Sequence, residues 1–333
     1  MGGIQGLVRG TVTQLDTPVS DDSRKVTFTV QPGRSAVQIG DELYALGLIR
    51  SPLTFRTLVE ARGVGAKIES GEYQLSPSMT TGEIVTVLSR GASRSGITVT
   101  IPEGWRAEQA AQKVEALGIA RSDELMQLVS GGPRTDLPLA EPLPVGATLE
   151  GYLFPETYEV AKGATARTLM EMMARQFDKA VTPKLRQQIT GRGLTLHQAV
   201  TLASIVEREA AIPAEQPVIA SVYLNRLKRD MPLQADPTVQ FAVASANLAE
   251  ALGYSYWKRD LSRDDLRLVS PYNTYVQHGL PPGPICSPGL SALEAVANPA
   301  DTEYLYFVAK GDGSHVFSRT DTEHAANVER YRR

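Results

Sequence analysis

Two segments of the chain alternate β-branched or aromatic residues with threonine and then break at a Pro and a Gly. They are Val26–Gly33 (VTFTVQPG) and Ile97–Gly104 (ITVTIPEG). Period-two alternation closed by turn residues predicts a strand. The segments are offset by 71 positions (26 to 97), and the offset persists: Ala45-Leu46-Gly47 matches Ala116-Leu117-Gly118, and Arg50-Ser51 matches Arg121-Ser122. A constant offset of this kind marks an internal repeat. In each copy an amphipathic helix follows the strand, carried by Ile39, Leu43 and Leu46 in the first and by Ala110, Val114 and Leu117 in the second. Gly47 and Gly118 then fall where a helix C-cap glycine belongs.

The first copy continues with a predicted helix over 52–61, a short strand over 72–75 (EYQL) and a helix over 81–89, for which Thr80 to Glu83 supply a capping-type start. Strand, helix, helix and strand in this order resemble a LysM-type carbohydrate-binding module. A small α+β unit of that kind also serves as a plain spacer. In the second copy Glu103 and Trp105 stand at the strand-to-helix junction, placed to touch a sugar or, for the Trp, to anchor packing.

In the second half, Leu194–Ala211 (LTLHQAVTLASIVEREAA) predicts a helix, opened by Thr195 with Gln198 as a capping box and barred from continuing by Pro213. It is apolar nearly all round, which predicts burial. At about 100° per residue, Glu207 shares the face of Leu196, Val200 and Ala203, and Glu209 lies on the other side among Leu202 and Ile205. Two carboxylates at the end of a buried helix are costly unless they are paired, neutral or chemically employed. A second helix is predicted over 217–229, then polar Leu233–Thr238 (LQADPT), in which Asp236 before Pro237 suits a helix N-cap or a substrate contact. Rigid loops at 270–275 (SPYNTY) and 279–285 (GLPPGPI) follow. Tyr304–Ala309 reads as a buried strand, Gly311–Gly313 as a turn, His315–Ser318 as the strand pairing back, and 323–330 as a closing helix.

These elements predict an α+β protein: a small LysM-like strand-helix-helix-strand module followed by a larger mixed α+β catalytic domain. The expected divisions are a polar stalk over 1–25, the module over 26–95, the second repeat copy as a linking subdomain over 96–146, and the catalytic domain over 147–333. A Pro-rich connector, Asp136–Val145 (DLPLAEPLPV), precedes the last.

Composition narrows the chemistry. The 333 residues carry 34 Lys+Arg against 37 Asp+Glu, a net charge of −3, without the basic stripe of a general nucleic-acid binder. A single cysteine, Cys286, excludes an intramolecular disulfide. No apolar run is long enough to span a bilayer, and MGGIQGLVRGTV is too weakly apolar for a signal peptide. His197, His278, His315 and His324 lack zinc-site spacing, and no Walker loop, GxGxxG or GxSxG occurs, so no metal or cofactor is expected. Carboxylate chemistry beside polar, aromatic loops remains, and it suits glycosidic bonds. General acid catalysis needs a carboxyl group still protonated near neutral pH, and an apolar surrounding raises its pKa in that direction.

Six ordered motifs carry a resemblance: Glu150–Tyr158 (EGYLFPETY), Leu202–Glu209 (LASIVERE), Ser221–Leu227 (SVYLNRL), Leu233–Val239 (LQADPTV), Ser270–Tyr275 (SPYNTY) and Gly279–Ile285 (GLPPGPI). Together they resemble the endolytic murein transglycosylase (YceG-like) family over nearly the whole chain from about Val26. The resemblance implies a lyase that cleaves nascent peptidoglycan strands without water, leaves 1,6-anhydro-N-acetylmuramic acid ends and so terminates strand elongation. It implies one N-terminal transmembrane helix upstream of the polar stalk, a catalytic domain outside the cytoplasm, and peptidoglycan synthases of elongation or division as partners. It places the catalytic glutamate on Glu207. That single carboxyl would protonate the glycosidic oxygen and then take the proton of the C6 hydroxyl as the anhydro ring closes. Substrate contacts are expected from Asn225, Gln234, Asp236, Tyr272, Asn273 and Tyr152, with the 234–238 and 272–274 segments lining the same cleft as Glu207. Asp236 or Glu209 acting as a second carboxylate would make a muramidase instead. A wall-binding scaffold that never cuts glycan is the remaining alternative.

Overall fold

The computed structural model describes residues 17–90, 96–131 and 137–331. Residues 1–16 of the expected stalk, 91–95 at the end of the expected module and 132–136, which include the first residue of the Pro-rich connector, lie outside the described residues. The chain forms two compact units, Met1–Gly96 and Ile97–Arg333. Among the described residues no helix is long and apolar enough to cross a membrane.

In the first unit, strand β1 (Val26–Val30) pairs antiparallel with β2 (Gly71–Leu75), Val26 opposite Leu75 and Val30 opposite Gly71. Alternation turns Phe28 and Val30 inward together with Tyr73 and Leu75, while the threonines face out. Helices α1 (Ala36–Ala45) and α2 (Pro52–Ala61) lie between the strands in sequence, and α3 (Thr81–Ser89) follows. Their ends obey local chemistry. Ser35 with Gln38 and Thr80 with Glu83 form capping boxes, Ser51 caps α2 ahead of Pro52, and Gly47 at φ +67° takes the left-handed position after α1. Leu43, Phe55, Leu75 and Ile84 are fully buried in one core. Each such side chain contributes roughly 1.5–3 kcal/mol.

The second unit opens on the same plan. Strand β3 (Gly96–Ile101), helices α4 (Ala107–Ala116) and α5 (Ser122–Ser130) and strand β4 (Glu156–Ala161) follow in order, and β3 pairs with β4. Thr98 donates to Glu159 at 2.6 Å and Thr100 meets Thr157 at 2.9 Å, so the strands run in opposite directions. The repeat therefore extends to a complete second strand-helix-helix-strand unit, whose last strand the sequence pattern did not announce. Residues 131–155 intervene before it, where nine residues (62–70) suffice in the first copy.

Helices α6 (Ala166–Ala180), α7 (Pro183–Gly191), α8 (Leu196–Glu209), α9 (Gln216–Lys228), α10 (Asp236–Ala246) and α11 (Leu290–Ala297) complete the core. Strands β5 (Tyr306–Ala309) and β6 (His315–Ser318) form an antiparallel hairpin, and α12 (Asp321–Tyr331) packs on it. Helix α8 starts at the expected Thr195–Gln198 capping box, and every residue from Ala199 to Val206 is buried. Its Val200, Leu202 and Ile205 belong to one core with Ile219 and Tyr223 of α9 and Leu293 and Val296 of α11.

Two local expectations are corrected. Residues Tyr304–Ala309 are not uniformly buried: the strand starts at Tyr306, and of its residues only Val308 is buried, because the hairpin is two strands wide. Asp236 is not the N-cap of α10. Ala235 takes that position without a side-chain cap, and Asp236 instead accepts the Tyr275 hydroxyl at 2.6 Å.

Candidate active site

Helix α8 ends at Glu209 because Ala210 turns extended (φ −83°, ψ 105°) and Pro213 starts the next turn. Glu207 and Glu209 thus both stand in its last turn, where the negative end of the helix dipole disfavours a carboxylate. Two residues along a helix amount to about 200° of rotation, so the two carboxyls open onto different surroundings.

Glu207 Oε2 accepts the Gly289 N–H at 3.2 Å, at the N-cap of α11. A Cβ on Gly289 would fall onto the Glu103 carboxylate, so both acids converge on this glycine. Burial pushes the Glu207 carboxyl up; the Gly289 hydrogen bond works against that shift, Glu103 adds to it and Arg208 opposes it. The Glu103 loop is docked here by Gly104 N–H donating to Ser287 O at 2.9 Å and Ser287 N–H donating to Trp105 O at 2.8 Å. Trp105 packs against the core.

Glu209 lines a cavity of about 290 Å³ together with Tyr223, Arg226, Gln234, Asp236 and Tyr275. Tyr223, one turn before Arg226 on α9, donates its hydroxyl to Glu209 Oε1 at 2.7 Å. Arg226 holds the wall by donating to Leu305 O at 2.6 Å and Leu233 O at 2.9 Å. Gln234 sits at φ +50° with its N–H donating to Thr274 O at 3.1 Å, which turns the chain into α10. A non-glycine residue held at positive φ is a constraint that the surroundings must enforce. Burial is the largest influence on Glu209 and pushes its carboxyl up to about 7; the Tyr223 hydrogen bond counters it, Asp236 reinforces it, and Arg208 and Arg226 counter it further. A carboxyl at that value is protonated in an appreciable fraction at neutral pH, as a general acid must be.

The other sequence-derived candidates separate. Gln234 and Asp236 join Glu209 in the cavity, whose lining does not include Glu207. Asn225 donates its amide to Thr302 O at 2.8 Å and Tyr304 O at 3.1 Å and borders a different hollow, with Arg192 and Ser221. Asn273 is fully buried, donating to Leu266 O and Leu268 O at 3.1 and 2.8 Å and accepting the Tyr275 N–H at 3.0 Å. Tyr272 packs at a tilt against Phe241, ring centroids 4.6 Å apart. Tyr152 is buried, its hydroxyl 2.9 Å from His197 Nδ1, while His197 Nε2 lies 2.8 Å from Pro282 O. A carbonyl only accepts, so Nε2 carries the hydrogen and Nδ1 accepts from the tyrosine. Glu150 likewise braces the fold: both its oxygens lie within 3.2 Å of the Ala107 N–H at the start of α4.

Sequence reasoning did not single out Tyr223, Tyr275 or His315 as cavity residues. Tyr223 and Tyr275 lie inside the motifs already noted, but only packing shows which way they face. Among the described residues no group of three His, Cys, Asp or Glu is placed to hold a metal ion.

Comparison with known proteins agrees over the length of the chain. The model of the YceG-like family matches residues 28–330. A Bacillus subtilis protein named endolytic murein transglycosylase is 33% identical over 326 residues, covering 94% of this chain and 87% of the relative. A protein of the same name from Streptococcus pneumoniae is 33% identical over 338 residues, and there the match spans 93% of this chain and 59% of the relative. The crystal structure of a YceG-like protein from Listeria monocytogenes superposes with a TM-score of 0.59 at 30% identity, covering 91% of this chain and 98% of that one. The chain belongs to the YceG-like family.

Proposed function

We propose that this protein is an endolytic peptidoglycan lytic transglycosylase that cuts nascent glycan strands and ends their elongation. The observation that carries the assignment of its acid is Glu209: a carboxyl raised to about 7, held by Tyr223, in a polar cavity shared with Gln234 and Asp236. Glu209 gives its proton to the glycosidic oxygen as the bond from that oxygen to C1 of the muramic acid breaks. The C6 hydroxyl oxygen bonds to C1, and its proton leaves to a base in the cavity. No water enters, so the new end is an anhydro sugar. The names carried by the Bacillus and Streptococcus relatives support this reaction class.

A second assignment of the acid is Glu207, favoured by its own raised carboxyl, its Gly289 hydrogen bond and the neighbouring Glu103. The first unit, with the strand-helix-helix-strand order of a LysM-type module, serves glycan binding in this proposal. An anchor upstream of the stalk and a synthase partner complete it.

Mass spectrometry of products from uncrosslinked glycan tests the proposed reaction. Anhydro ends are expected, lighter than hydrolytic ends by one water. Reducing ends would indicate a muramidase, and bound but uncut glycan a scaffold. Glu209→Gln is expected to abolish cleavage with the fold retained, and Glu207→Gln to keep substantial activity. The reverse pattern moves the acid to Glu207.

A further inference from the structure

Glu215 and His315 are 100 positions apart in sequence and paired in space. His315 Nδ1 lies 2.7 Å from Glu215 Oε2, and the His315 backbone N–H donates to Glu215 Oε1 at 3.1 Å. The imidazole is held edge-on against Phe307, ring centroids 5.3 Å apart, and its side chain is only 8% exposed. Facing a carboxylate, Nδ1 carries the hydrogen, so Nε2 of the neutral ring carries a lone pair. That nitrogen has no hydrogen-bond partner among the described residues, and the ring lines the same cavity as Glu209, Gln234 and Asp236.

We propose that His315, oriented by Glu215, is the base that takes the C6 hydroxyl proton while Glu209 protonates the leaving oxygen. This inference rests on the transglycosylase function proposed above. The step balances: the C1–oxygen bond breaks, the C6 oxygen–C1 bond forms, one proton leaves Glu209 and one arrives on His315 Nε2. Afterwards Glu209 is a carboxylate and His315 an imidazolium, and transfer of that proton to Glu209, directly or through solvent, restores both. A lone carboxyl must release its proton before it can accept another. An acid and a base on separate elements act together. The imidazole–carboxylate pair follows the rule by which a carboxylate fixes a histidine tautomer and stabilises its charged form.

Glu215, from the turn before α9, is paired with the imidazole, and the charged and titratable groups that share its cavity are Glu209 from α8, Tyr223 and Arg226 from α9, Asp236 from α10, Tyr275 from its loop and His324 from α12. In the full chain acting on uncrosslinked glycan, kcat/KM is expected to be bell-shaped in pH. Its acidic limb reports the base that must be free and its alkaline limb the acid that must be protonated, Glu209. His315→Asn keeps an amide to donate to Glu215 but lacks Nε2. It is expected to lower kcat about 100-fold with KM little changed and to erase the acidic limb. Glu215→Gln still accepts the Nδ1 hydrogen but loses its charge, so the acidic limb should move to lower pH and kcat should fall on the order of 10-fold. If His315→Asn fails to fold, the displaced limb in Glu215→Gln decides the question. A purely structural pair would lower the melting temperature and move neither limb. A His315→Asn enzyme within about threefold of wild-type kcat, or an unmoved acidic limb in Glu215→Gln, overturns the proposal. A dead Glu209→Gln beside a wild-type-like His315→Asn confines the failure to His315, whereas an active Glu209→Gln removes the reading of the cavity itself.

Discussion

The Tyr223 phenol donates to Glu209 Oε1 across 2.7 Å, so the middle of α9 sets the orientation of the last carboxyl of α8. A hydrogen bond to a carboxylate favours the ionised form, and here it holds the carboxyl below where burial alone would put it. Tyr223→Phe should therefore raise the Glu209 pKa further and carry the alkaline limb of the pH–rate profile upward. The expected stability loss is about 1 kcal/mol. Carbon-13 NMR titration of the Glu209 carboxyl reads the shift directly, and a downward movement would contradict the assigned geometry.

Stability should depend on pH through two buried acids. Burial, then the nearby Glu108 charge, raises Glu150 from the ordinary 4.5 to about 8, and burial raises Glu209 to about 7. The folded protein then holds protons that the unfolded chain has already released. Such a contribution is fully present below the unfolded pKa and is lost as pH rises through the folded one. The melting temperature of Glu150→Gln relative to wild type should accordingly climb between about pH 5 and 8. Glu209→Gln should show the same trend, ending about one unit lower. Thermal scans across that range check both, and parallel curves for variant and wild type would exclude the shifts.

Asn273 and Gln234 should part company on replacement by Ala. Asn273 is fully buried with two carbonyls and one N–H satisfied by its amide, and its loss should cost roughly 3 kcal/mol. Gln234 borders the cavity, so Gln234→Ala should slow cleavage while changing stability by less than about 1 kcal/mol. Chemical denaturation beside a product assay separates the two effects.

Gly151 sits at φ +82°, and a Cβ there would overlap the Pro284 ring and come within 3.1 Å of Val200 Cγ1. Gly151→Ala should cost about 3 kcal/mol, from left-handed strain plus overpacking. Gly163 has the same φ with nothing within 4 Å of the added carbon, so Gly163→Ala should cost only about 1 kcal/mol. Equal losses in calorimetry would show that the backbone conformation, not the close approach, dominates at Gly151.

Local chemistry wrote much of the fold into the sequence. Helices 52–61 and 81–89 occupy the residues their periodicity and caps predict, and Gly47 and Gly118 take left-handed φ after their helices. Pairing over distance was not legible. Strand β4 is exposed at four of its six positions and finds its partner some 55 residues earlier, so no short window distinguishes it from a loop. The same limit applied to the site. A helix as evenly apolar as α8 gives its wheel no preferred face, and only the packing of α9 and the hairpin decides which carboxyl meets Gln234 and Asp236. His315 looked inert because its partner lies on a distant turn.

The two repeat copies differ in when they can close during synthesis. Strand β1 finds β2 within 50 positions, so the first unit has every pairing it needs once residue 75 has left the ribosome. Strand β3 must wait for residue 156 and carries the similar ITVTI sequence unpaired in the meantime. Two look-alike strands ready at once would invite exchange of partners, a known failure of tandem repeats. Their order along the chain staggers them: VTFTV has its mate by residue 75, before ITVTI begins at 97, and the 131–155 insertion only lengthens the time for which ITVTI waits for its own.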